Sequence, residues 1–217
     1  MYMGKFKYIA ALLIAVACGG FQQAKADLVT YYLTQGTPAI TSYTGPYASV
    51  AVNRADFTHA TITFTALTSN GSIYTLGGAS SVAVNVNATS WKVGTITGSN
   101  SDTGIYRNGG SRNVDGFGVL NQTISSFGHS SSTFSFTLTN ISGRWSSAGQ
   151  VLKANANDYF ALAHIFVTTS AANAINRTRV NGFVAGPGFG TVPDGGATVM
   201  LLGAALGALG LVRRYTK

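Results

Sequence analysis

The sequence predicts an all-β protein, an antiparallel β-sandwich of jelly-roll type, flanked by an N-terminal signal peptide and a C-terminal transmembrane helix. Three observations lead to that class. The middle of the chain alternates apolar and polar residues with a period of two, in short runs bounded by Gly, Asn and Ser. No Glu occurs anywhere and charged residues make up 9% of the chain, against about 25% in an average soluble domain. Strong surface-helix formers are therefore scarce, and a Thr-, Ser- and Gly-rich chain favours strands and turns. Finally, two uninterrupted apolar stretches sit near the two ends, each beside basic residues.

At the N-terminus, Lys5 and Lys7 precede an apolar run of ten residues, Tyr8–Ala17, and Ala24-Lys25-Ala26 follows. A basic start, an apolar centre and an A-x-A site make residues 1–26 a secretory signal peptide, cut after Ala26 by signal peptidase once the export machinery has engaged it. Asp27 then starts the mature chain. Ten helical residues span about 15 Å, half of a bilayer core, which is too short for an anchor. Cys18 follows Ala15-Val16-Ala17, which partly resembles a lipobox, so lipidation of Cys18 is an alternative. It is the only cysteine, and the mature body consequently has no disulfide framework, thiolate metal site or cysteine nucleophile.

Residues 27–191 form the predicted β domain. Candidate strands are Leu28–Leu33, Thr58–Leu67, Ser81–Ala88, Trp91–Thr97, Phe117–Ile124, Thr133–Thr139, Tyr159–Thr168 and Val180–Val184. Turn signals stand at Asn70-Gly71, Gly77-Gly78, Asn108-Gly109-Gly110, Asp115-Gly116 and Asn181-Gly182. One helical turn is expected within Ser147–Ala156. Strands without long helices between them imply packed antiparallel sheets, and outward Thr and Ser imply one wet face per sheet.

At the C-terminus, Val192-Pro193-Asp194-Gly195-Gly196 precedes the apolar Ala197–Val212, and Arg213-Arg214-Tyr215-Thr216-Lys217 follows. The apolar run has 16 residues, 18 with the two glycines, at the short end of a spanning helix of about 17–25 residues. The Arg213-Arg214 pair holds its end on the cytoplasmic face. A Pro-containing motif, an apolar span and a terminal basic cluster, in that order, resemble the PEP-CTERM sorting signal, and VPDGG is similar to the variant opening on Val-Pro-Asp and small residues. The resemblance implies that residues 192–217 are read by an exosortase. Pro193 and Asp194 would lie in its recognition motif, the 197–212 span would hold the chain transiently in the inner membrane, and a membrane-embedded cysteine protease would remove the tail. Pro193-Asp194-Gly195 departs from the usual Pro-Glu-Pro, which leaves the exosortase subtype and cut site open. Within the body, Asp115-Gly116-Phe117-Gly118, Phe136–Asn140 (FTLTN), Ala163–Phe166 (AHIF) and Asn181-Gly182-Phe183 resemble a body domain of other PEP-CTERM proteins.

Charge excludes one class of partner. The net charge is +8, but Lys5, Lys7, Lys25, Arg213, Arg214 and Lys217 belong to the two ends. The body keeps eight Lys and Arg against five Asp, or +3, with no basic aromatic run, whereas nucleic-acid affinity needs many phosphate contacts. Catalytic signatures are missing as well: no Glu pair, no G-x-S-x-G, no H-E-x-x-H and no EF-hand loop. The expectation is a non-catalytic protein without cofactor or metal, exported to the cell surface, outer envelope or extracellular matrix and associated with exopolysaccharide or biofilm. The alternatives are a surface carbohydrate-binding module or, behind it, a hydrolase. Three residues are ligand candidates. Trp91 and Trp145 carry faces that stack on sugar rings, with core burial the default for both. His164 lies in the apolar strand Phe160–Val167 and by alternation shares a face with Leu162 and Phe166, as a ligand, a pH switch or a satisfied core histidine. Asp102, in the loop Gly98–Gly104, offers a calcium ligand or, more simply, an Asx-turn.

Overall fold

The computed structural model describes residues 27–99, 106–169 and 180–187. The predicted signal peptide with Cys18, Ala24 and Ala26, the loop around Asp102 and the whole 192–217 segment with Arg213 and Arg214 lie outside the described residues. Within them the chain runs through twelve strands: β1 (Asp27–Leu33), β2 (Gln35–Gly36), β3 (Ala48–Arg54), β4 (His59–Ala66), β5 (Thr68–Ser69), β6 (Ser72–Val84), β7 (Trp91–Gly98), β8 (Tyr106–Asn113), β9 (Val119–Ser131), β10 (Thr133–Asn140), β11 (Tyr159–Thr168) and β12 (Asn181–Pro187). Two 3-10 turns, Pro38–Ile40 and Ala148–Gln150, interrupt them. No helix among the described residues is long and apolar enough to cross a membrane, and the span predicted at 197–212 is not among them.

All pairings are antiparallel. One sheet has the order β1-β3-β4-β10-β7; the other has β2-β12-β11-β6-β9-β8, with β5 attached to β6. Alternation explains the first sheet. In β4, Ala60, Ile62 and Phe64 are buried while Thr61, Thr63 and Thr65 face outward; in β10, Phe134, Phe136 and Leu138 are buried while Ser135, Thr137 and Thr139 face outward. Register sets Phe64 opposite Phe134 and Ile62 opposite Phe136. On the wet face, the Thr63 and Ser135 hydroxyls meet at 3.0 Å. The buried faces of both sheets close on one core that joins Val50, Ile62, Phe64 and Phe136 to Leu76, Val82, Ile124, Ile165 and Val184. Each such large apolar side chain contributes about 1.5–3 kcal/mol on burial, and this sheet-on-sheet contact is what makes the molecule a sandwich.

The connections refine the expectation of a jelly roll. Four pairs of strand neighbours, β3–β4, β5–β6, β8–β9 and β11–β12, are also consecutive in the chain. The observed wiring is therefore in good part hairpins, and the coarser description, two packed antiparallel sheets, is the one the strand order establishes.

Several local expectations change. Asn70-Gly71 and Asp115-Gly116 are turns as predicted, with positive φ at both residues of each pair. Gly77-Gly78 lies instead inside β6, Asn108-Gly109-Gly110 inside β8 and Asn181-Gly182 inside β12. Gly78 (φ 79°) and Gly110 (φ 63°) serve there as bulge residues, at positions where the β6–β9 and β8–β9 registers shift; glycine takes such conformations without steric cost. The one helical turn expected within Ser147–Ala156 is present as the 3-10 turn Ala148–Gln150. The predicted strands also omit β3, the first half of β6 and β8. The last, YRNGGSRN, shows no apolar period because it is an exposed edge strand, and its Arg107 and Arg112 guard that edge against further pairing.

Candidate functional site

Of the three candidates read from the sequence, Trp145 sits deepest, with 1% of its surface exposed. Its ring belongs to the intersheet core, and its Nε1 donates to the Asn87 carbonyl at 2.7 Å. The physical default for a large aromatic ring prevails here, and the buried indole offers no face to a sugar. Trp91 is half-buried at the start of β7, packs on the same core, and donates from Nε1 to Gln122 Oε1 at 3.0 Å. The polar end of each indole is thus engaged inside the protein, as buried Trp residues require.

His164 takes the face predicted for it. Ala161, Ala163, Ile165 and Val167 point into the intersheet core, while Leu162 joins a second apolar cluster with Ala83, Val114, Phe117, Leu120 and Ala185. On that outer side the His164 ring stacks on Phe183 at 4.3 Å and leans on Phe166 at 4.8 Å. Its Nε2 lies 3.0 Å from Asn181 Oδ1. Opposite it, β6 carries five residues between Leu76 and Val82 where β11 has His164 alone. The bulge fills the space with buried serines. Ser81 Oγ donates to the Gly78 carbonyl at 2.7 Å, the Ser126 N–H donates back to Ser81 Oγ at 2.8 Å, and the Ser80 N–H donates to Ser125 Oγ at 2.9 Å. Hydroxyls here complete a ladder the bulge has interrupted.

A different place on the molecule has the properties of a binding site. A cavity of about 480 Å3 opens where the chain leaves β6, leaves β10 and passes Lys153, and it is lined by Asn87, Thr89, Asn140, Ser142, Arg144 and Lys153 with Ala88 and Gly143. The backbone around it is tied down. Asn87 donates from N to the Val151 carbonyl and from Nδ2 to the Gln150 carbonyl, both at 2.9 Å. Lys153 N donates to the Asn85 carbonyl at 2.9 Å, and Asn140 N to the Thr58 carbonyl at 2.8 Å. Ser142 Oγ accepts from Ser90 N at 2.9 Å. Asn87 is also held through its carbonyl, which accepts from Trp145 Nε1. The Arg144 guanidinium lies 5.7 Å above the exposed Phe57 ring, a contact of the cation–π kind. The cavity has no carboxylate in its lining, and among the described residues neither Arg144 nor Lys153 forms an ion pair.

The loop bearing Phe57 is held by Asp56, whose Oδ1 accepts from the Thr58 N–H at 2.7 Å and the His59 N–H at 2.8 Å while Oδ2 faces His59 Nδ1 at 2.8 Å. Those bonds, the one from Thr58 first, hold the Asp56 carboxyl well below the usual carboxylate range. Burial instead pushes the Tyr31, Tyr47 and Tyr74 phenols up. Among the described residues no three of His, Cys, Asp or Glu gather as a metal site. Sequence reasoning missed the cavity because its residues come from three separate segments, and no spacing in the chain announces them.

The molecule is thus a β-sandwich followed by a tail. Comparison with known families identifies the tail: residues 191–214 match the model of the VPDSG-CTERM motif, with Gly195 standing where that motif carries Ser. The segment is a PEP-CTERM-like C-terminal sorting signal, which carries export and handling by exosortase-type machinery. No curated protein and no solved structure matches the chain, and the body's likeness to a PEP-CTERM body domain finds no counterpart in these comparisons.

Proposed function

We propose that this is an exported, non-catalytic protein that an exosortase processes at its tail and that acts at the cell surface or in an extracellular polysaccharide matrix. The observation that carries the reading is the match of residues 191–214 to the sorting motif. The body supports it. A wet face of Thr and Ser hydroxyls in place of charges suits a hydrated polysaccharide. The roles expected are recognition for Pro193 and Asp194, a transient inner-membrane hold for 197–212 and a cytoplasmic stop for Arg213 and Arg214. The polar cavity favours a second reading, a carbohydrate-binding module displayed at the surface.

The sorting step is tested in cells by the double variant P193A/D194A and by deletion of Arg213-Arg214. Chain mass is followed by mass spectrometry and location by fractionation. Both variants are expected to accumulate as longer, membrane-associated chains. Unchanged mass and location in both would overturn the reading. Turnover of any polysaccharide or ester by the purified chain would overturn its non-catalytic part.

A further inference from the structure

We infer that the cavity between Asn87, Asn140, Arg144 and Lys153 is a binding site for a carboxylate-bearing sugar unit, as found in an acidic polysaccharide. The inference deepens the surface-protein reading and rests on it only for the compartment in which the ligand is met.

Size comes first. A volume of about 480 Å3 falls in the range of about 300–1,000 Å3 typical of small-molecule sites. Charge comes next. Arg144 and Lys153 both line it, no carboxylate does, and neither cation forms an ion pair among the described residues. A site with two cations and no counter-charge selects an anion. Arg supplies a planar donor fork that matches a carboxylate, and Lys a compact second charge. Two cations are too few to follow a phosphate backbone, and a lining whose only apolar members are Ala88 and Gly143 does not suit a lipid or an apolar peptide.

The remaining lining decides between a bare anion and a hydroxylated one. Asn87, Thr89, Asn140 and Ser142 offer acceptors as well as donors, and sugar hydroxyls, which donate and accept, use both. Asn140 is 5% exposed and its Oδ1 has no hydrogen-bond partner. Such an acceptor calls for a donor, and a sugar hydroxyl or a bound water supplies one. The exposed Phe57 ring carries two guanidiniums, Arg54 at 5.6 Å and Arg144 at 5.7 Å. The hydrogen bonds that fix Asn87, Ser142 and Lys153 mean that little ordering remains to be done on binding.

The test uses the purified full-length chain, titrated calorimetrically at low salt with galacturonate, mannuronate and glucuronate oligomers and with a neutral galactose oligomer. At least one oligouronate is expected to bind, more weakly as salt is raised because exposed charges are screened. R144Q and K153Q are each expected to weaken it by about threefold to tenfold and the double variant by more. R107Q, on the edge strand β8 and outside the lining, should bind as wild type. All three side chains are exposed, and an unchanged thermal midpoint checks that the fold is kept. P193A/D194A is expected to bind normally, so failure of the sorting reading and failure of this one are told apart. No binding of any oligouronate at about 10 mM, the weak limit of useful affinity, would overturn the inference. So would equal binding of the neutral oligomer, or a double variant that binds as wild type.

Discussion

Replacing Trp145 by Phe separates a core role from a ligand role. The indole is 1% exposed and its Nε1 donates to the Asn87 carbonyl at 2.7 Å. Removing that donor costs about 0.5–1.5 kcal/mol net. The part of the indole that Phe does not fill leaves a void worth about 1–2 kcal/mol more. The sum is about 1.5–3.5 kcal/mol, which for a chain of this size lowers the thermal midpoint by roughly 3–14 °C, at about 2–4 °C per kcal/mol. Urea denaturation of W145F, read by tryptophan fluorescence from Trp91 and by circular dichroism, should show a lower midpoint with an unchanged slope, the mark of lost stability without a changed unfolded state. Oligouronate affinity should fall only modestly, since Asn87 keeps its bonds to Gln150 and Val151. A sugar-stacking tryptophan produces the opposite pattern, binding lost at unchanged stability. A stability within about 0.5 kcal/mol of wild type, the usual range for surface changes, would refute the argument.

Two further variants test local physics. G78A places a Cβ 2.9 Å from His164 Nδ1 on a residue at φ +79°, so it should lose about 1–3 kcal/mol to backbone strain, measured as a lower urea midpoint; an unchanged midpoint would show that the bulge relaxes freely. D56A removes the acceptor of the β3–β4 turn. Because the folded carboxyl titrates below its ordinary value, its stabilisation is complete above the unfolded pKa near 4 and fades as pH falls toward the depressed folded value. The midpoint gap between wild type and D56A should therefore be largest at neutral pH and shrink on acidification below about pH 4; a gap that is constant or grows with acid would contradict the assignment.

Where one face of a strand was buried and the other wet, the chain announced its structure. THATITFT and TFSFTLT became β4 and β10 because Ile62, Phe64, Phe134 and Phe136 alternate with hydroxyls. Legibility failed in two physical situations. The edge strand β8 buries little, so it shows no apolar period. Glycine pairs carry two meanings: Asn70-Gly71 closes a hairpin, whereas Gly77-Gly78 bends a strand from within around His164. A local reading cannot separate them, because the difference lies in what β9 and β11 place opposite. The tail was legible for the contrary reason. Its meaning is in linear order, a Pro-Asp motif, an apolar run and a basic end, and needs no tertiary contact to be read.

The cavity is the reverse of the tail, and that contrast bears on how the protein works. The body carries eight cations against five acids, so an unpaired cation is nothing unusual in it, and composition alone would make no case for Arg144 or Lys153. What composition does not bring about is their meeting. Arg144 lies just past β10, Lys153 follows the Ala148–Gln150 turn, and Asn87 follows β6; only the closure of the two sheets, with Trp145 bonded to the Asn87 carbonyl, sets them around one space. On the proposed reading, the sorting signal is read from the sequence of the tail and is spent once the tail is cut. The cavity exists only after folding and survives the cut, since it lies wholly within the body. Delivery and recognition are therefore encoded in separable parts of the chain, and a variant that abolishes one should leave the other measurable.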